Sequence, residues 1–163
     1  MNQLIGGWQW NGIVTAQGGF PMTPVIGFNN SGTGDGGNPD VPNWNPNFKG
    51  NVILGTPDQW FNPEAFKVPI PGTFGNVSRG SLRGPGLVDI DTSLFKKIPI
   101  SERFNLQLRA EAFNIFNHPN FAFPSQVVFE GNSSSYRYAS SAATITSSAT
   151  SSRQLQLALK LMF

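Results

Sequence analysis

In the stretch Arg153-Gln154-Leu155-Gln156-Leu157-Ala158-Leu159-Lys160-Leu161-Met162-Phe163, a large apolar side chain recurs at every second position. Successive side chains of an extended chain point to opposite sides. Leu155, Leu157, Leu159, Leu161 and Phe163 therefore share one face, and Gln154, Gln156, Ala158, Lys160 and Met162 the other. An unbroken apolar face, a mostly polar opposite face and a final aromatic suit a strand standing between lipid and a watery lumen. The same alternation would also serve one strand of a soluble β-sandwich, with leucines in the core and Gln and Lys in water. The choice between the two rests on the remainder of the chain.

With 163 residues the chain can hold one domain with a core. Charged residues make up 12%, about half the usual share, while 18 Gly, 13 Pro and 14 Phe point away from a helical bundle and toward an all-β, loop-rich chain. A net charge of +2 with scattered Lys and Arg forms no basic stripe, so nucleic acid is not an expected partner. The absence of cysteine excludes disulfides and thiolate chemistry. No run approaches the roughly 18 apolar residues of a transmembrane helix. Met1-Asn2-Gln3-Leu4-Ile5-Gly6-Gly7-Trp8 lacks the basic and apolar regions of a secretory signal. A protein bound for an outer membrane must be exported, so a barrel reading expects this chain to be the C-terminal piece of a longer one.

Alternation recurs in three further places. Over residues 8–17, Trp8, Trp10, Gly12, Val14 and Ala16 oppose Gln9, Asn11, Ile13, Thr15 and Gln17. Over about 87–98, Val88, Ile90, Thr92, Leu94 and Lys96 oppose Asp89, Asp91, Ser93, Phe95 and Lys97. Over about 103–117, Phe104, Leu106, Leu108, Ala110 and Ala112 oppose Asn105, Gln107, Arg109 and Glu111. Charge keeps to the polar side except at Lys96, which lies near a strand end where it can snorkel. Between the strands, residues 18–86 hold most of the glycines and prolines and read as loop, with short pairing near 52–54 and 59–61. Residues 118–152 form a second loop whose Ser/Thr-rich part, 133–152, is expected to be mobile or weakly paired. A 69-residue connection would be foreign to a compact soluble domain, whereas outer-membrane barrels combine long outer loops with short periplasmic turns. If the last strand ends in the periplasm, the turn at 99–103 is periplasmic and both long loops are extracellular. Trp8, Phe104 and Phe163 then share the periplasmic end of the lipid face as part of an aromatic girdle.

Arg153–Phe163 also resembles the C-terminal signal, ending in Phe, that the barrel-assembly machinery reads in bacterial outer-membrane barrels. Three further stretches carry a more specific resemblance: Arg79-Gly80-Ser81-Leu82-Arg83-Gly84-Pro85-Gly86, Val88-Asp89-Ile90-Asp91-Thr92-Ser93-Leu94-Phe95-Lys96, and Glu102 through Phe121 with its Ala-Glu-Ala-Phe-Asn-Ile-Phe-Asn-His-Pro-Asn-Phe run. They are similar to the C-terminal strands of Oar-like TonB-dependent receptors. Thr15-Ala16-Gln17-Gly18-Gly19-Phe20-Pro21 and Trp60-Phe61-Asn62-Pro63-Glu64-Ala65-Phe66 resemble loop motifs of the same family. The resemblance implies a barrel of about 22 strands, plugged by an N-terminal domain and energised through the TonB complex of the inner membrane. This chain has no counterpart of the plug, of the TonB box or of the regulatory-like domain that often precedes them, and would supply about the last four strands. Four strands cannot close a barrel, and alone they would leave two unpaired edges.

Catalytic chemistry finds little support. His118, the only histidine, stands in a His-Pro turn. Asp89, Asp91 and Glu111 could be offered as a glycosidase carboxylate pair, but they alternate with apolar residues as strand polar groups do. In a hairpin whose paired positions sum to 200, Asp91 would face Arg109 as a charge pair. The run Gly32–Asp40 could offer calcium Asp35, Asn38 and Asp40, without the spacing of a known calcium loop. The loop aromatics Phe20, Phe28, Trp44, Phe48, Trp60, Phe61 and Tyr136 could stack on a ligand or simply pack.

The sequence thus predicts an all-β chain: about four antiparallel strands of the C-terminal portion of a transmembrane β-barrel, with long extracellular loops, in the outer membrane of a Gram-negative-type bacterium. Its expected function is non-enzymatic, as part of a TonB-dependent receptor importing an unidentified ligand, with no cofactor or metal. Expected partners are outer-membrane lipid, the barrel-assembly machinery, the remainder of the barrel and plug, and the TonB complex. Leu155, Leu157, Leu159, Leu161 and Phe163 carry the assembly signal. Asp89, Asp91, Asn105, Gln107, Arg109, Glu111, Gln156 and Lys160 are the lumen-facing candidates. The alternative is a soluble or cell-surface β-sandwich acting as a binding module.

Overall fold

The computed structural model describes residues 5–34 and 39–163. The strands in chain order are β1 (Trp8–Gln17), β2 (Pro21–Met22), β3 (Val25–Ile26), β4 (Asn43–Trp44), β5 (Phe66–Lys67), β6 (Leu82–Arg83), β7 (Leu87–Pro99), β8 (Asn105–Phe113), β9 (Val127–Asn132), β10 (Ser135–Tyr138) and β11 (Gln154–Met162). A 3-10 turn spans Pro63–Ala65. The chain divides into two compact units. One comprises the residues up to Gln17 with Leu87–Asn120 and Thr150–Phe163; the other comprises Gly18–Gly86 and Phe121–Ala149.

The first unit is a four-stranded antiparallel sheet in the order β1-β7-β8-β11. Its register is regular: Trp8 pairs with Lys96, Lys96 with Leu108 and Leu108 with Leu159. The short turn between β7 and β8 is closed by the Ile100 and Ser101 amides, which both donate to the Phe104 carbonyl. At the other end Gln17 pairs with Leu87 and Phe113 with Gln154, so both long connections leave the sheet from one side and the short turn lies at the opposite side. The register overturns the expected Asp91–Arg109 pair. Paired positions of β7 and β8 sum to 204, so Arg109 faces Phe95 and Glu111 faces Ser93. The hairpin is centred at position 102, two residues further along than a sum of 200 requires, because the chain continues past Pro99 before it reverses.

The strand expected over 103–117 ends at Phe113. Asn114 and Asn117 take left-handed backbone conformations, φ 49° and 52°, and asparagine tolerates that region better than most residues. The Asn114 side chain replaces the broken ladder. Its Nδ2 donates to the carbonyls of His118 and Ser151 at 3.0 and 3.1 Å, and its Oδ1 accepts from the His118 amide at 2.8 Å. Asn120, 1% exposed, does the same for β7, with Oδ1 accepting from the Val88 amide and Nδ2 donating to the Val88 carbonyl.

The long connections, read as loop with short pairing, form only short strands in the second unit but pack together. That unit has its own core, in which Met22, Ile26, Phe61, Ala65, Phe66, Val77, Leu82, Val128, Phe129 and Ala143 are buried together. These residues come from segments far apart in sequence, so no local periodicity announces them. The short pairing expected near 52–54 and 59–61 is present as an Ile53–Phe61 bridge and a Leu54 amide to Trp60 carbonyl bond of 2.9 Å. The stretch expected to be weakly paired contains β10, which pairs along β9, followed by buried Ala139, Ala142 and Ala143. The β9–β10 hairpin needs Gly131, whose φ is +122° and whose missing Cβ makes room for the Ser135 carbonyl.

Candidate functional site

The regular register aligns the alternation of all four long strands. Trp8, Trp10, Val14, Ile90, Leu94, Leu106 and Leu108 lie on the same face as Leu155, Leu157, Leu159 and Leu161. These four leucines are 73%, 83%, 64% and 52% exposed, and Trp10 is 73% exposed. Leaving a leucine fully in water forgoes about 1.5–3 kcal/mol, so at these exposures β11 alone forgoes roughly 4–8 kcal/mol, of the order of the whole stability of a typical domain. Soluble monomers rarely present a contiguous apolar surface of this kind. A sandwich would have to seal the leucine row against a second sheet, and the row is open. The strands are 10, 13, 9 and 9 residues long, against the 9–11 or so that a tilted strand needs to cross a bilayer.

Polar atoms on this face are paired locally. The Trp10 indole N–H donates to Thr92 Oγ1 at 2.7 Å, and Thr92 Oγ1 donates to the Asn11 carbonyl at 3.1 Å. Lys96, the expected exception, is 6% exposed. Its Nζ donates to the Gly6 carbonyl at 2.6 Å and lies 4.7 Å from the centroid of the Trp8 ring, at the short-turn end. Phe104 and Phe163 also sit at that end; the β8–β11 register, extended by one residue, sets them opposite each other.

The opposite face collects Asp89, Asp91, Asn105, Gln107, Arg109, Glu111, Gln156 and Lys160. Glu111 pairs across to Gln156, and Gln107 to Lys160. The Arg109 guanidinium lies 4.9 Å from the Phe95 ring centroid and its Nε donates to Gln107 Oε1 at 3.2 Å. Asp91 Oδ1 accepts from the Asn114 amide at 2.9 Å, which ties this carboxylate to the end of β8. Asp89 Oδ1 has no hydrogen-bond partner among the described residues. Asp91 thus caps the end of β8, while Asp89 and Glu111 stand at regular strand positions, Glu111 between Ser93 and Gln156.

The remaining sequence candidates resolve into structure. The His118 backbone N–H donates to Asn114 Oδ1, its carbonyl accepts from Asn114 Nδ2, and its Nδ1 lies 3.2 Å from Asn120 Oδ1. Of the calcium candidates, Asp35 and Asn38 lie outside the described residues. Asp40 Oδ2 is engaged by the amides of Asn30 and Ser31, both at 2.6 Å, and no cluster fit for a metal occurs among the described residues. The loop aromatics pack on one another or on the core: Phe20 on Phe123, Phe28 on Tyr136 and Trp44 on Phe66, with Phe48 and Trp60 against the core and Phe61 inside it. The end of the 15–21 motif meets the motifs at 60–66 and 79–86 in the second unit. Pro21 pairs with Arg83, and the Trp60 indole donates to the Arg83 carbonyl at 2.8 Å. Sequence reasoning missed that convergence and the two clamping asparagines; the repeated Asn in Asn114-Ile115-Phe116-Asn117-His118-Pro119-Asn120 was the available signal.

Among known proteins, the family model described as an outer membrane beta barrel domain matches residues 1–156. No curated protein and no solved structure matches the chain.

Proposed function

We propose, from the premise that this chain belongs to the outer membrane beta barrel domain family and resides in the outer membrane, that it forms part of a TonB-dependent, Oar-like receptor importing a ligand. In this reading β1, β7, β8 and β11 are neighbouring barrel strands, their leucine and tryptophan face meets lipid, and Asp89, Asp91, Asn105, Gln107, Arg109, Glu111, Gln156 and Lys160 face the lumen. Phe163 and the β11 leucines carry the assembly signal. The chain performs no chemistry of its own; the rest of the barrel, the plug and the TonB complex supply closure, gating and energy.

The observation that supports this most is the single exposed apolar face shared by four strands of membrane-crossing length, with both long connections leaving from one end. The convergence of the receptor-like motifs around Arg83 supports the finer, Oar-like part of the reading. Spent medium from the parent strain and from a deletion strain, each with and without a protonophore, tests the import step. A compound depleted only by energised parent cells is expected. Identical depletion by both strains removes the importer and leaves the membership of the family untouched.

A further inference from the structure

The register also sorts the charges of the polar face. Asp89, Asp91 and Glu111 lie in its half toward the long connections, and Arg109, Lys97 and Lys160 in its half toward the short turn. Gln107 pairs with Lys97 on one side and Lys160 on the other, so the two lysines share one row across β7, β8 and β11, about 9.6 Å apart at two strand spacings of about 4.8 Å. Arg109 stands two residues further along β8 on the same face, about 7 Å from Gln107. Its guanidinium is held twice, 4.9 Å from the Phe95 ring centroid and by the 3.2 Å bond from Nε to Gln107 Oε1, and its two Nη groups make no hydrogen bond to a described residue. Among the described residues none of the three cations forms an ion pair. The nearest strand carboxylate, Glu111, is one row beyond Arg109, on the side away from the lysines.

We infer that Lys97, Arg109 and Lys160 form a seat for a small ligand bearing a multiply charged phosphate group. Like charges gathered on one face of a sheet destabilise it unless a counter-charge joins them, and three cations exceed what one carboxylate neutralises. The stacked guanidinium presents a fixed fork of N–H donors that matches two phosphate oxygens and has little rotamer freedom left to lose on binding. The lysines add mobile point charges on either side of Gln107, and both are exposed, so an anion reaches them from the open side of the sheet. The inference deepens the importer reading, in which this face lines the lumen, by naming the charged group of the ligand. Binding is read on the protein itself, so the seat stands or falls apart from the import measurement.

Calorimetric titration of the protein, held in uncharged dodecyl maltoside micelles, with inorganic pyrophosphate tests the seat. Saturable binding is expected, weakening as salt is raised. Arg109→Lys keeps the charge and loses the fork, and should weaken binding at least about tenfold, the effect of a hydrogen bond to a charged group. Lys97→Gln and Lys160→Gln, at exposed positions, should each weaken it about threefold. Lys49→Gln, an exposed lysine of the second unit, should leave it unchanged. Absence of saturable binding, or binding that the Arg109, Lys97 and Lys160 variants all leave intact, overturns the seat and leaves the importer to the depletion experiment. Binding of a hexa-aspartate peptide but not of pyrophosphate overturns it in favour of an acidic protein partner. Pyrophosphate binding lost as expected in the variants, together with identical depletion by parent and deletion strains, keeps the seat and removes the importer.

Discussion

Trp10 and Thr92, 82 residues apart, are joined by a 2.7 Å hydrogen bond on the apolar face of the sheet. Thr92→Val keeps the shape and removes the acceptor, and is expected to destabilise the reconstituted protein by about 1 kcal/mol. Thr92→Ser restores the oxygen and most of the loss. Urea unfolding from vesicles, followed by tryptophan emission, reads both; equal stability of the valine and serine variants would show that the bond contributes nothing.

Leu157 and Gln156 are chain neighbours on opposite faces. Leu157→Arg places a cation among lipid tails and should cost about 2–4 kcal/mol, whereas Gln156→Arg should change stability by less than about 0.5 kcal/mol. The same unfolding assay compares them. Similar losses at both positions would mean that the two faces do not differ in their surroundings.

Asn114 combines φ 49°, 4% exposure and three side-chain hydrogen bonds. Asn114→Ala removes the bonds and leaves backbone groups of His118 and Ser151 unpaired, for an expected loss of about 2–4 kcal/mol. Asn117, also left-handed but with one accepted bond from the Arg153 amide, should lose less than half as much on change to Gly. Hydrogen exchange should rise at the His118 amide in the first variant and at the Arg153 amide in the second.

Tyr138 of the second unit titrates above its ordinary value of 10.0, first because it is partly buried and then because Glu64 and Tyr136 lie near it. A raised acid pKa means that the folded state holds its proton more tightly. The stabilisation is therefore complete below pH 10 and lost as pH climbs through the folded-state value. Thermal melts between pH 9 and 12 should fall more steeply for the native sequence than for Tyr138→Phe, and parallel curves would refute the effect.

Arg109 stacks on Phe95 rather than pairing with Asp91. A double-mutant cycle with Asp91→Asn and Arg109→Gln should be additive within about 0.5 kcal/mol. Coupling well beyond that would restore the charge pair and shift the β7–β8 register.

These particulars mark what could be read from residues alone. The four long strands were legible because alternation is a local property: Leu155 through Leu161 declare a face without reference to anything distant. The relative register of those strands was not, since it depends on how far the chain runs past Pro99 before it turns. The second unit was illegible for a different reason. Phe61, Phe66, Val128 and Phe129 form one core from separate glycine- and proline-rich segments, so their order arises from long-range contacts that no short window contains. Asn114 read as a strand residue because a left-handed asparagine looks like any other until its side-chain partners are known.

The central claim is that one face of the four strands meets lipid and the other does not. Nitroxide labels placed singly at Trp10, Leu94, Ala110 and Leu157, and at Asn11, Ser93, Arg109 and Gln156, measure it through collision with oxygen, which concentrates in the bilayer, and with a water-soluble nickel chelate. The account predicts high oxygen and low nickel accessibility at the first four, and the reverse balance at the second four. Labels that report water equally on both faces would contradict it.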